Sequence, residues 1–183
     1  MEKNIYLAGV GGQGLQVVGK AMAQAAYTRG YKVTYSPRYG FEKRGGLTSC
    51  YIVISDDEVG NPRKKKQDIM VVMEPKAYAR FGNDVKNGGT LVVNSTLVPD
   101  YETEGKPFEV CGIPLHDICL KLGNTKVISA ALMGAMAVLL EDVFPDKNIL
   151  LDMMLEKLKG KEALIEINRK AFHESYNLVK GNA

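Results

Sequence analysis

The sequence predicts an α/β domain spanning residues 1–183, a Rossmann-like, mainly parallel sheet flanked by helices, with a helical C-terminal third. Three features carry that expectation. An apolar run at residues 5–8 stops at a glycine cluster, Gly9-Val10-Gly11-Gly12-Gln13-Gly14. Apolar side chains then recur at helical spacing and lead into a second β-prone run, which makes a βαβ unit. From Asn124 onward the hydrophobic pattern is helical to the end.

Each element follows from local chemistry. Leu15, Val18, Met22, Ala25 and Ala26 form one helix face, and Gly30 supplies the stop. Residues 31–35 are rich in β-branched and aromatic side chains and predict a strand. Residues 36–46, with Pro37, Gly40, Gly45 and Gly46, read as a polar loop. Strands are expected at 48–55, 69–73 and 90–94, with a further extended piece at 108–111. Pro75 suits a first helical turn, so a helix is expected over Pro75–Phe81. In the C-terminal third, Val127, Ala130, Ala131, Gly134, Ala135 and Val138 give a face of small side chains that lets a neighbouring backbone approach closely. Helices at 147–159 and 161–179 complete the chain, the last with Leu164, Ile167, Ala171 and Phe172 as its buried stripe.

Composition narrows the class. The chain has 183 residues, 45% hydrophobic and 25% charged, enough to bury a core without metal or disulfide staples. A formal charge of +3 implies no nucleic-acid partner. Residues 127–140 are the longest uncharged run, too short to span a bilayer. The strand pattern begins too early for a signal peptide, so a cytoplasmic protein with no membrane association is expected. Cys50, Cys111 and Cys119 contain no C-x-x-C pair, which excludes a self-contained four-thiolate cluster and predicts reduced thiols. His116 and His173 lack metal-ligand spacing. The run Arg63-Lys64-Lys65-Lys66 reads as a solvated turn, with steering of an acidic partner as the alternative.

Two segments carry candidate chemistry. Gly9, Gly11 and Gly14 satisfy G-x-G-x-x-G between a strand and a helix, where glycines permit a tight turn and expose N–H groups at a positive helix end. An anion there gains about 0.3–2 kcal/mol. A dinucleotide site also needs an acidic residue about 20 positions on. Here the second strand ends in Tyr35-Ser36-Pro37-Arg38, without one, although Arg38 suits a 2′-phosphate. A free-standing NADP- or flavin-binding reductase, a packing turn and a partner- or anion-binding turn therefore all stay open. Gln13 adds two amide donors and an acceptor for a phosphate, a carboxylate or a partner backbone. The second segment, residues 39–46, gathers Tyr39, Phe41, Glu42, Lys43 and Arg44 among Gly40, Gly45 and Gly46. Arg44 offers a planar fork to a carboxylate or phosphate, and Glu42 pairs with it or with a partner.

Together, G-V-G-G-Q-G and the later S-P-R-Y-G-F-E-K-R-G-G-L-T-S resemble the paired signature of the γ subunit of 2-oxoacid:ferredoxin oxidoreductases. The likeness continues through Asn61-Pro62, Asp68-Ile69 and the C-terminal Glu166-x-Asn168-x-Lys170-Ala171-Phe172. It implies oxidative decarboxylation of a 2-oxoacid, such as 2-oxoglutarate or pyruvate, to its acyl-CoA, with electrons passing to ferredoxin. It also implies that thiamine diphosphate, magnesium and iron–sulfur clusters sit on α, β and sometimes δ partner subunits, with coenzyme A as co-substrate. The chain alone is then inactive, and pairs with itself if isolated. By this resemblance Gly9, Gly11, Gly12, Gln13, Gly14, Tyr39, Glu42, Arg44, Gly45 and Gly46 contact a ligand or partner rather than make bonds.

Overall fold

The computed structural model describes residues 1–40, 46–59, 61 and 63–181. The chain divides into two compact units, Met1–Ile113 and Pro114–Ala183.

The first unit is built on a six-stranded sheet. In chain order its elements are β1 (Glu2–Val10), α1 (Leu15–Thr28), β2 (Lys32–Tyr39), β3 (Leu47–Ser55), β4 (Gln67–Val72), α2 (Pro75–Phe81), β5 (Val85–Asn94) and β6 (Glu109–Ile113). The spatial order is β2-β3-β1-β4-β5-β6. β1, β4, β5 and β6 pair in parallel, while β3 runs antiparallel to both β1 and β2. The sheet is therefore mainly parallel, as expected, with one reversed strand. That strand corrects the simple βαβ reading. β1 and β2 do run the same way, but β3 lies between them. Strand β2 also continues through Ser36, Pro37, Arg38 and Tyr39, residues expected to be loop. Pro37 is tolerated because β2 is an edge strand, where a missing N–H leaves no ladder bond broken.

Alternation of side chains gives each sheet face its cover. Tyr6, Ala8, Met70, Val72, Leu91 and Val93 point one way, into a cluster closed by Ala77, Tyr78 and Phe81 of α2. Tyr6 packs at a 41° tilt against Tyr51, 4.2 Å between ring centroids, and meets Phe81 edge-on at 5.1 Å. The opposite side of β2 and β3 takes α1. Gly19 permits that approach, because a Cβ there would lie 2.6 Å from Cys50 Sγ and 3.1 Å from the Tyr35 ring. The basic run is tied down by its own unit. Lys64 pairs with Glu2, Arg63 donates to Ser36 Oγ at 3.3 Å, and Lys66 donates to the Asn83 carbonyl at 3.1 Å.

The second unit is helical. It contains α3 (Leu115–Lys121), α4 (Ile128–Leu139), α5 (Asn148–Leu155) and α6 (Glu162–Gly181), with 3₁₀ turns at Thr125–Val127 and Glu156–Leu158. The small-residue face of α4 is used for close packing. A Cβ on Gly134 would collide with the carbonyl of Phe172 and sit 3.1 Å from its Cα, so α6 lies directly on α4. Glu141 then accepts from Tyr176 at 3.0 Å and from Lys180 at 2.7 Å. Helix α3 was not anticipated; it is only seven residues long and begins after Pro114. Among the described residues, no helix is long and apolar enough to cross a membrane.

Candidate functional site

The glycine cluster lies where β1 hands over to α1, and β1 and β4 are parallel neighbours whose helices leave on opposite sheet faces. Such a switch point opens a crevice beyond the carboxyl ends of the strands. Each glycine of the turn has its own reason. A Cβ at Gly9 would overlap Gln13 Oε1 and come within 2.9 Å of Met73 Cβ, so this position must be bare for the chain's own packing. Gly12 and Gly14 have φ of 96° and 73°, a left-handed geometry that side chains disfavour. Gly11 is different. Its φ is not positive, and a Cβ there would meet nothing within 4 Å. The unit itself has no use for a glycine at that point.

Gln13 turns inward. It is 7% exposed, its Oε1 accepts from the Val10 N–H at 2.9 Å, and its Nε2 reaches the Met73 carbonyl at 3.5 Å. Its amide is committed to bracing the ends of β1 and β4. Met73 O also accepts from Asn94 Nδ2 at 3.0 Å, which carries the brace on to β5.

The second candidate segment begins beside the first. β1 and β3 stay in register to their ends, Gly9 opposite Thr48 and Val10 opposite Leu47. Tyr39 ends β2 and is 70% exposed. Gly40 folds close over Leu47, where a Cβ would lie 2.8 Å from its carbonyl oxygen. Gly46 is half-buried at the start of β3. Glu42, Arg44 and Gly45 lie outside the described residues. The structure thus brings Gly9, Gly11, Gly12, Gln13 and Gly14 together with Tyr39 and Gly46 at one end of the sheet.

Sequence reasoning missed Gln16. Its Nε2 donates to Thr48 Oγ1 at 3.0 Å and to the Ser49 carbonyl at 2.9 Å, while its Oε1 accepts from Tyr35 at 2.7 Å. Thr48 Oγ1 donates in turn to the Arg38 carbonyl at 3.2 Å. Burial pushes the Tyr35 phenol up to about 12, so it stays a donor at neutral pH. A glutamine on the first turn of a helix gives no sequence signal for this, since its partners lie 19 to 33 residues away.

Cys50 and Cys119 are buried, and burial pushes their thiols up to about 12 and about 11. Among the described residues no three His, Cys, Asp or Glu side chains gather where a metal could sit. His116 and His173 are both held below the usual imidazole range by burial. A dinucleotide fits poorly. β3 displaces β2 by two strand spacings from β1, roughly 10 Å, so the end of β2 is not where a ribose-binding residue would be needed.

Comparisons with known proteins bear on the family. The family model for pyruvate ferredoxin/flavodoxin oxidoreductase matches residues 4–178. Ketoisovalerate oxidoreductase subunit VorA of Methanothermobacter marburgensis is 30% identical over 99% of this chain, which spans only 37% of that protein. 2-Oxoglutarate synthase subunit KorC of Methanocaldococcus jannaschii is 28% identical over 98% of this chain and 95% of its own length. The crystal structure of the γ subunit of a keto/oxoacid ferredoxin oxidoreductase from Geobacter sulfurreducens superposes with a TM-score of 0.82 at 28% identity, covering 99% of this chain and 98% of that one. These matches give the free-standing nicotinamide or flavin reductase no support.

Proposed function

Since the chain belongs to the pyruvate ferredoxin/flavodoxin oxidoreductase family, we propose that it serves as the γ-type subunit of a multi-subunit 2-oxoacid:ferredoxin oxidoreductase. One observation carries the reading. Gly11 and Gly12 leave open backbone at the switch point, at the same end of the sheet as the exposed Tyr39, while the polar side chain of the turn, Gln13, faces inward. A surface of this kind favours close approach by another backbone or by an anion. Its partners in the reading are the α and β subunits, with δ where one is present.

By the family resemblance, thiamine diphosphate, magnesium and iron–sulfur clusters would reside on those subunits. When bound there, they supply decarboxylation and electron transfer to ferredoxin. This chain's own residues shape the site: the turn and Tyr39 close against the partner, and Arg44 and the turn contact coenzyme A. 2-Oxoglutarate is the favoured 2-oxoacid, in keeping with the KorC relative, which the chain matches almost end to end. The setting is cytoplasmic.

The test is purification of a tagged chain at native expression level. Recovery with thiamine diphosphate- and cluster-containing partners, in an assembly that forms acyl-CoA from 2-oxoglutarate, is the expected result. A lone chain in the native extract contradicts it. A complex in which Arg44→Ala leaves the coenzyme A KM unchanged removes the coenzyme A contact alone.

A further inference from the structure

We propose that Gln16 is a positioning residue, coupling the glycine turn to the start of β3 and the middle of β2 so that the two halves of the working face are held in one geometry. The inference rests on the partner-binding reading above. Its basis is one side chain from the first turn of α1 that touches both strands. Gln16 Nε2 holds β3 through Thr48 Oγ1 and the Ser49 carbonyl, and Gln16 Oε1 takes the Tyr35 hydroxyl of β2. The Tyr35 hydroxyl also lies 3.3 Å from the Gln16 carbonyl, and Thr48 Oγ1 closes the circuit onto the Arg38 carbonyl.

α1 is pressed onto β2 and β3 at Gly19, three residues along the same face, which fixes the distance that the Gln16 side chain spans. The partners differ in kind: a hydroxyl acceptor, a carbonyl and a phenolic donor. Only an amide, with donors on one atom and an acceptor on the other, satisfies all three at once. Glutamate loses both donor contacts, and methionine keeps the length while losing every polar one. Because the turn residues Gly11 to Gly14 run directly into the helix that carries Gln16, a change in these strands reaches the turn through this side chain.

The experiment compares the full chain with Gln16→Met, Tyr35→Phe and a control, Val85→Ala, which opens a cavity at the amino end of β5, the opposite end of the sheet from the glycine turn. Backbone amide exchange is followed by NMR, and affinity for the remaining subunits is measured by titration into the depleted complex. Gln16→Met is expected to speed exchange at Gly11 to Leu15 and at Thr48 and Ser49 together, and to weaken reassembly about fivefold or more. Tyr35→Phe gives a smaller change of the same pattern. Val85→Ala, at equal or greater loss of thermal stability, leaves both readouts at these positions near native. Unchanged exchange in the turn of Gln16→Met, or an equal response in Val85→Ala, overturns the coupling. Faster exchange at both places with undiminished reassembly upholds the coupling and instead removes the reading of this face as the partner surface.

Discussion

At the scale of single residues, the glycine motif separates into positions that serve the chain and one that does not. Gly9 is required internally, since a methyl group there displaces Gln13 Oε1 from the Val10 N–H. Gly9→Ala is therefore expected to cost about 1–3 kcal/mol in urea unfolding, by overpacking and loss of a buried hydrogen bond. Cys50 gives a second prediction. Burial pushes its thiol up to about 12 from an ordinary value of 9.0. The folded chain holds a proton that the unfolded chain releases, so this contribution is complete below pH 9 and is lost as pH rises toward 12. Tyr35, raised to about 12 from 10.0, adds a loss that begins near 10. Urea midpoints should fall above pH 9, and Cys50→Ala should make that fall shallower, leaving the part that Cys119 contributes from the same onset. The sequence displays which residues are glycine but not why. Gly9 and Gly11 look alike in the motif, and they are told apart by what a Cβ would meet: Gln13, Met73 and Leu15 at Gly9, and nothing at Gly11.

At the scale of elements, helix contact in the second unit depends on one hydrogen atom. Gly134→Ala drives a Cβ into the Phe172 carbonyl, so α4 and α6 must separate. A loss of about 1–3 kcal/mol, or several degrees in melting temperature, is expected on thermal unfolding. The run of Ala and Gly in α4 announced such a contact because small side chains at helical spacing have few other uses. Pro75 likewise marked the start of α2 correctly. Other boundaries were not legible. Pro37 and its polar neighbours look like loop, and they are strand only because β3 supplies one edge to pair with while the other edge needs no donor. The insertion of β3 between β2 and β1 is a long-range pairing, and local propensity carries no information about it. Helix α3 is too short for periodicity to declare it.

At the scale of the molecule, this chain is proposed to be a supporting subunit whose contribution is a surface. The isolated chain should show no 2-oxoacid-dependent reduction of an electron acceptor, and adding it to the depleted complex should restore activity in proportion to reassembly. The family was legible in the paired motifs, the cofactor distribution rests on the resemblance, and the β1–β3 register is what sets the start of β3 beside the glycine turn. The most direct test lies at Gly11, where the backbone is ordinary and the space beside it is empty. Gly11→Leu should leave stability within about 0.5 kcal/mol of native, yet weaken affinity for the partner subunits by roughly tenfold or more, as a side chain intrudes on a packed interface. Native affinity in a fully folded Gly11→Leu chain would contradict the central claim.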